Sequence, residues 1–463
     1  RGICMINNAI ILAAGKGTRM KTELPKTLFP ILKKPMIEYI LDEVEKTSIG
    51  NVWLVVGYKK EHLIDQLGER VKYVEQKEQL GTAHAVKQAK NQLKNESGST
   101  IILPGDMPLI DASTLNEIME SHSKSNCKIT VVSTSFDNPY GYGRIKKNTE
   151  GDVIGIVEEL SASPREKQIK EVNTGIYVIE NESLFENLDL IKKDPKKGEF
   201  YLTDIVSIFV NDHDKINSYM IQDNSIVMGV NDLVAISKAE NYFRHKINKK
   251  HMLNGVSIIN PDTVTIGYGV MIESEVTIYP NTTITGNSVI KKRAKIGPNT
   301  ELHNANIDQN VHVRHSIIYD SKINENSTVG PFAHLRNQAV IGSSNRIGNF
   351  VEIKKSKTGD NTKASHLAYI GDAEVGDNVN FGAGSITVNY DGVKKHKTII
   401  GNDVFIGCNS NLVAPIKIYS QVFIAAGSTV TKDVPKGSLT IARNHQINKS
   451  DYYTNLIKPI SQK

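Results

Sequence analysis

Apolar positions follow two different rules along this chain. In the first half they come in short blocks. Ala9–Ala13 predicts a strand, Pro35–Glu45 has helical spacing, Val52–Val56 predicts a second strand and Glu61–Leu67 a short helix. Thr82–Leu93 predicts a helix, and Thr100–Leu103 a strand ending at Gly105-Asp106. Strands alternating with helices imply a mainly parallel sheet covered by helices. Ligands of such sheets bind beyond the carboxyl ends of the strands. Leu233–Leu253 has helical character without Pro or Gly, and predicts a connecting helix. The expected organisation is a first domain over 5–232, a linker helix over 233–254 and a second domain over 255–463.

In the second half the period becomes six. Ile266, Ile272, Ile278, Ile284, Ile290, Ile296 and Leu302 form one run. Val329, Leu335, Ile341, Ile347 and Ile353 form another, and Ile400, Ile406, Leu412, Ile418, Ile424 and Val430 a third. Gly follows several of these residues, as in Ile296-Gly297 and Ile406-Gly407. This is a hexapeptide repeat, in which each short strand buries its face only by stacking on a neighbour. Residues 354–370 and 388–399 break the period and are expected to loop out. Composition agrees with the change of rule. Residues 1–254 contain 20 Leu and 28 Ile, whereas residues 255–463 contain 6 Leu and 27 Ile. A β-branched bias favours strands.

The 463 residues carry a formal charge of +6, too mild for a dedicated nucleic-acid binder. Lys+Arg and Asp+Glu number 34 each in residues 1–254, and 22 and 16 in residues 255–463, so the excess lies wholly in the second part. Mean hydropathy is -0.30, and no run approaches the ~20 apolar residues of a membrane span. Cys4, Cys127 and Cys408 are too few and scattered for a disulfide framework or a Cys-based zinc site. A reducing, cytoplasmic setting is expected. Met5 reads as the natural first residue, with Arg1–Cys4 added ahead of it.

The clearest chemical signal follows the first strand. Leu12-Ala13-Ala14-Gly15-Lys16-Gly17-Thr18-Arg19-Met20 is followed by Leu24-Pro25-Lys26. Gly15 and Gly17 allow backbone N–H groups close to a phosphate chain, and Lys16, Arg19 and Lys26 add cations. The spacing is neither a dinucleotide fingerprint nor a P-loop. With this motif the chain resembles the sugar-1-phosphate nucleotidyltransferases. With the hexapeptide half added, it resembles the bacterial bifunctional family that joins N-acetylglucosamine-1-phosphate uridyltransferase to glucosamine-1-phosphate N-acetyltransferase. The resemblance extends from Ile6 to Arg443.

That resemblance implies a Rossmann-like first domain and a C-terminal left-handed parallel β-helix that forms a homotrimer. It implies UTP, glucosamine-1-phosphate, N-acetylglucosamine-1-phosphate and acetyl-CoA as substrates, and no nucleic-acid partner. Leu12, Ala13, Ala14, Gly15 and Lys26 match nucleotide-binding positions, and Arg19 and Lys26 catalytic ones. Gln76, Gly81 and Thr82, within Gln76–Thr82, match the segment that reads uracil. An amide can both donate to and accept from a pyrimidine edge. Read alone, the same segment is a helix N-terminus capped by Thr82. Asp106 and Asn231 match ligands for Mg²⁺, a hard cation that prefers oxygen, and Asn231 also matches a nucleotide-binding position. Gly143, Glu158 and Asn173 match sugar-binding positions, and Glu199–Asp204 a scaffold segment. Pro104, which has no N–H, precedes the Gly-Asp pair.

For the second activity, Lys363-Ala364-Ser365-His366-Leu367-Ala368-Tyr369 matches the motif whose His is the catalytic base. A neutral imidazole suits removal of a proton from an attacking amine. Arg336, Lys354, Tyr369, Asn380, Asn389 and Tyr390 match the sugar-phosphate and acetyl positions. Ala383, Asn389, Tyr390, Cys408, Ala426 and Arg443 match the acetyl-CoA groove, with Cys408 where Ser is usual. Two other readings are a single-activity nucleotidyltransferase on a β-helical scaffold and a non-catalytic assembly subunit. The His366 motif opposes the first. Arg19, Lys26, Asp106 and Asn231 oppose the second.

Overall fold

The computed structural model describes residues 6–195 and 198–457. Arg1–Met5, including Cys4, lie outside the described residues. The chain divides into two compact units, Arg1–Phe243 and Arg244–Lys463. The division falls inside the 21-residue helix Leu233–Leu253 rather than at either end of it.

The first unit is built on a twisted sheet. Its strand order is Ile216–Ile221, Ile129–Ser135, Glu171–Glu180, Ser99–Pro104, Ile6–Leu12, Asn51–Val56 and Lys72–Glu75. Four neighbouring pairs are parallel. Glu171–Glu180 runs antiparallel to both of its neighbours, so the sheet is mixed at that point. Ile10, Ile11, Ile101 and Ile102 are fully buried, because helices cover both faces. The expected helix over Thr82–Leu93 is interrupted: helices span Thr82–Lys87 and Lys90–Leu93. The cause is Gln88. Its backbone N–H bonds Ala85 instead of His84, and its side-chain amide takes the His84 carbonyl at 2.8 Å.

The second unit is a parallel β-helix. Short strands of successive coils pair in register, so that Ile278 lies opposite Ile296 and Leu302 opposite Ile318. The six-spaced Ile, Val and Leu residues point inward and form one continuous core. The two breaks in period have different outcomes. Residues 354–370 do not loop out. Lys357–Thr358 and Lys363–Gly371 both pair with their neighbours, and Ile347 meets Ala364 only seventeen residues on. That coil is shortened rather than expanded. Within 388–399 the chain does leave the helix: Thr387 pairs with Leu412, twenty-five residues on. The excursion is closed by Asp391, which accepts from the Val393 and Lys394 N–H groups and meets His396 Nε2 at 2.6 Å. These bonds hold the Asp391 carboxyl well below the usual carboxylate range, His396 contributing most.

Two stability outcomes follow. Ile318 is fully buried between coils, so Ile318→Ala should cost about 2–5 kcal/mol, read from the urea midpoint of the second unit's transition. His122 is buried between Ser99 Oγ at 3.0 Å and Thr130 Oγ1 at 2.8 Å. Burial lowers its pKa from 6.5 to about 4. Between those values the unfolded chain binds a proton that the folded chain refuses. His122 therefore contributes stability fully above pH 6.5, and that contribution falls as the pH drops towards 4. Urea midpoints of wild type and His122→Gln measured across that window should lose stability on acidification more steeply in the wild type.

Candidate active sites

In the first unit, strands Ile6–Leu12 and Ser99–Pro104 end side by side, with Leu12 opposite Pro104. Gly105 continues the second strand so closely that an added Cβ would lie 2.6 Å from the Leu12 carbonyl. This brings Asp106 to the carboxyl edge of the sheet. The Asp106 carbonyl accepts from Val230 N–H at 2.8 Å, which draws in the loop bearing Asn231. Lys26 Nζ sits between them, 2.5 Å from Asp106 Oδ2 and 2.9 Å from Asn231 Oδ1. Arg19 Nη2 donates to the same Asn231 oxygen at 2.9 Å. Gly17 has φ 61°, and a Cβ there would meet the Lys26 Cβ at 2.6 Å. Its glycine is thus explained by the approach of Lys26, whereas Gly15 faces open space.

A cavity of about 470 Å³ opens beside this cluster. Leu12, Ala13, Ala14, Gly15, Lys26, Gln76, Gly81, Thr82, Asp106, Glu158 and Asn173 line it. Arg19, Asn231 and Gly143 do not line it: Asn231 is bonded to the lining Lys26 and Arg19 to Asn231, while the Gly143 carbonyl accepts from Asn173 N–H at 2.9 Å. Gln76 is buried, and its Nε2 lies 3.0 Å from both the Gly81 carbonyl and His84 Nδ1. Its donor side is committed to protein, so Oε1 is what it offers the cavity. Gly81, with φ 105°, is required by protein backbone, since a Cβ would lie 2.4 Å from the Phe200 carbonyl. Thr82 does not cap its helix. Its Oγ1 accepts from Leu202 N–H at 2.9 Å and fastens the Phe200–Leu202 segment.

That segment is more than scaffold. Glu199, Tyr201, Leu202 and Thr203 line the cavity, and Thr203 Oγ1 donates to Glu158 Oε1 at 3.1 Å. The sequence offered no repeat or Gly-rich signal for them. Tyr177 was also missed. It is fully buried, and burial pushes its phenol far above the ordinary value, with Asn173 acting in the opposite sense. Arg144, within the expected sugar-binding segment Gly141–Arg144, instead has a buried side chain that pairs with Glu159 at 2.7 Å.

In the second unit the register builds a single column at one corner of the coils. Asn349 lies opposite His366. Two residues before His366, Ala364 pairs with Phe381, Phe381 with Ile406 and Ile406 with Ile424. Ala383, Cys408 and Ala426 therefore continue the column from His366. Cys408 and Ala426 are exposed, as is Arg443, whose Cδ lies 3.7 Å from the place of a Cβ on Gly427. His366 is exposed, with its Nδ1 2.8 Å from Asn349 Oδ1.

The cations expected at a sugar phosphate sit on a neighbouring face. Arg336 pairs in register with Lys354, and each has an acid: Glu352 Oε1 is 2.6 Å from Arg336 Nη2, and Asp372 Oδ2 is 3.6 Å from Lys354 Nζ. Asn389 Nδ2 donates to Asp372 Oδ2 at 2.5 Å and to the Tyr369 hydroxyl at 3.3 Å. Tyr390 donates its hydroxyl to the Gly392 carbonyl and pairs across the 389–397 excursion with Lys395. Lys395 was not anticipated. Lys354 beside it pushes its ammonium pKa down, so this excursion brings a third cation to the group. Asn380 is half-buried opposite Lys363.

Among the described residues no helix is long and apolar enough to cross a membrane, and no three His, Cys, Asp or Glu side chains converge as a metal cluster. The family model described as "Nucleotidyl transferase" matches residues 8–241. The bifunctional protein GlmU of Acholeplasma laidlawii is 58% identical over 99% of this chain and 100% of its own. Those of a Geobacillus species and Listeria welshimeri are 47% and 44% identical over 97% and 96% of this chain, and 98% and 97% of theirs. On near-complete alignments at this level of identity, the chain belongs to the GlmU family of bifunctional proteins.

Proposed function

We propose that this chain makes UDP-N-acetylglucosamine in two steps, one in each unit. It is a bifunctional enzyme with acetyltransferase and uridyltransferase activities, as its family membership entails. The observation that carries the division of labour is that two separate constellations exist, each suited to one step. One gathers Lys26, Arg19, Asp106 and Asn231 at the edge of the first sheet. The other stands His366 at the head of the column Ala383, Cys408 and Ala426.

In the acetyl step, the 2-amino group of glucosamine-1-phosphate attacks the acetyl carbonyl of acetyl-CoA. His366 takes the proton that the amine loses as the C–N bond forms. The C–S bond then breaks and the CoA thiolate is protonated. Small side chains at 383, 408 and 426 leave room for the pantetheine arm, and Arg443 meets phosphate. Arg336, Lys354, Tyr369, Asn380, Asn389 and Tyr390 hold the sugar phosphate and acetyl group. Arg suits phosphate as a planar fork, Lys as a point charge.

In the uridyl step, a phosphate oxygen of N-acetylglucosamine-1-phosphate attacks the α-phosphorus of UTP, and the bond to pyrophosphate breaks. Gln76, Gly81 and Thr82 seat the base, and Gly143, Glu158 and Asn173 the sugar. Leu12, Ala13, Ala14 and Gly15 follow the nucleotide with backbone. Lys26 and Arg19 stabilise negative charge on the phosphates, a contribution from preorganised groups that need no proton transfer. Asp106 and Asn231 present two oxygens around one point, and these two residues would hold Mg²⁺, a hard cation that prefers oxygen. Mg²⁺ held there would supply positive charge to the phosphates beside Lys26 and Arg19. A homotrimer working in the cytoplasm completes the reading.

Three outcomes test it. His366→Ala should lower acetyl transfer, read as free CoA, by about 10²–10⁴-fold and leave uridyl transfer, read as pyrophosphate, within twofold. Asp106→Ala should do the reverse. A chelator should abolish pyrophosphate release from UTP while CoA release persists. Loss of both activities in either folded variant would defeat the two-site division.

A further inference from the structure

His366 opens into a groove of about 720 Å³ that no carboxylate lines. The charged and titratable groups facing it from the packed strands are Lys295, His312, Arg314 and Arg346, with Tyr279 also on the wall. Register stacks several of these groups: Lys295 lies opposite His312, His312 opposite Thr328, and Thr328 opposite Arg346. Burial first, and Lys295 second, push the His312 pKa down. Among the described residues, the one side chain hydrogen-bonded to the His366 ring is a neutral amide, Asn349, with its Oδ1 2.8 Å from Nδ1. The contact is built into the backbone. A Cβ on Gly348 would lie 1.9 Å from the Ser365 carbonyl, so glycine there permits the coil approach that sets residue 349 against residue 366.

We propose that Asn349 is a positioning residue for acetyl transfer, its Oδ1 accepting from His366 Nδ1–H so that the neutral ring keeps Nε2 free to take the amine proton. The proposal rests on the reading of His366 as the base. A neutral imidazole carries its proton on one nitrogen, and the partner of the other nitrogen decides which. An amide oxygen fixes that choice without adding charge. A carboxylate in the same place would also fix it, but would favour the imidazolium and raise the pKa. The groove lining adds no carboxylate beside the ring, so the Asn349 amide is the group that selects the tautomer.

The test is the pH profile of acetyl transfer by the full-length protein. Wild type, Asn349→Ala, Asn349→Asp and His366→Ala are compared, with the far-UV spectrum and acetyl-CoA binding checking the β-helix. Asn349→Ala should lower kcat about 10–100-fold with the KM for acetyl-CoA within twofold, a magnitude typical of removing the group that orients a functional His. Asn349→Asp should recover part of kcat and move the acidic limb of kcat/KM to higher pH by about one unit. A purely packing role would not move that limb. Wild-type kcat in Asn349→Ala, or an Asn349→Asp profile with an unmoved limb, overturns the proposal. Undiminished acetyl transfer by His366→Ala would instead overturn the reading of the base, a failure that this comparison separates from the first.

Discussion

Each coil of the β-helix leaves a row of backbone N–H and C=O groups, and a cluster of Ile, Val or Leu side chains, for the next coil to cover. Neither is satisfied within the coil itself. Parallel backbone pairing and apolar burial therefore act together on every repeat, and both demand the same register. Once register is fixed, so is every outward neighbour. Asn349, His366, Ala383, Cys408 and Ala426 are far apart in sequence and adjacent on the surface for that reason alone. The column of chemistry is the outer face of the column of packing.

The first unit assembles its site by a different route. Strand ends that share an edge are brought within hydrogen-bonding reach by glycines at which a side chain would strike neighbouring backbone. Gly105 serves Asp106, and Gly81 serves the Phe200 segment. Lys26 then reconciles the Asp106 carboxylate with the Asn231 amide oxygen, and Arg19 supports that oxygen from the other side. Two oxygens and two cations from distant parts of the chain are thereby gathered at one edge of the sheet.

Much of this was legible in the chain. The six-residue period and the Leu12–Lys26 motif depend on local spacing, and they located both halves and a loop that lines the cavity of the first unit. Features that depend on distant backbone were harder. Gly81 lines the cavity, but that it must be glycine is set by the Phe200 backbone, far away in sequence. Thr82 looked like a cap and anchors Leu202. Tyr177, Tyr201 and Thr203 reach the cavity because the antiparallel strand Glu171–Glu180 and the 199–203 segment close over it, which no local pattern announces. Asn349 and Lys395 are visible only once coils are stacked. The residues at 354–370 show the same limit: an interrupted period looks alike whether residues have been gained or lost.

The shortened coil bears on how sequences of this kind can drift. Ile347 and Ala364 stay paired across seventeen residues, with Asn349 and His366 carried along. Exchanging one side chain for another in that interval leaves the pairing intact. A change in count has to be absorbed at a corner between strands, as it is elsewhere in the helix, where Leu302 and Ile318 pair across sixteen residues and Ile278 and Ile296 across eighteen. The 389–397 excursion is under no such rule, because it leaves the coil and returns to it. Length can thus change at a corner or at the excursion, provided the strand residues on either side return to the same partners. What the packing fixes is the pairing of strand residues, not the number of residues between them.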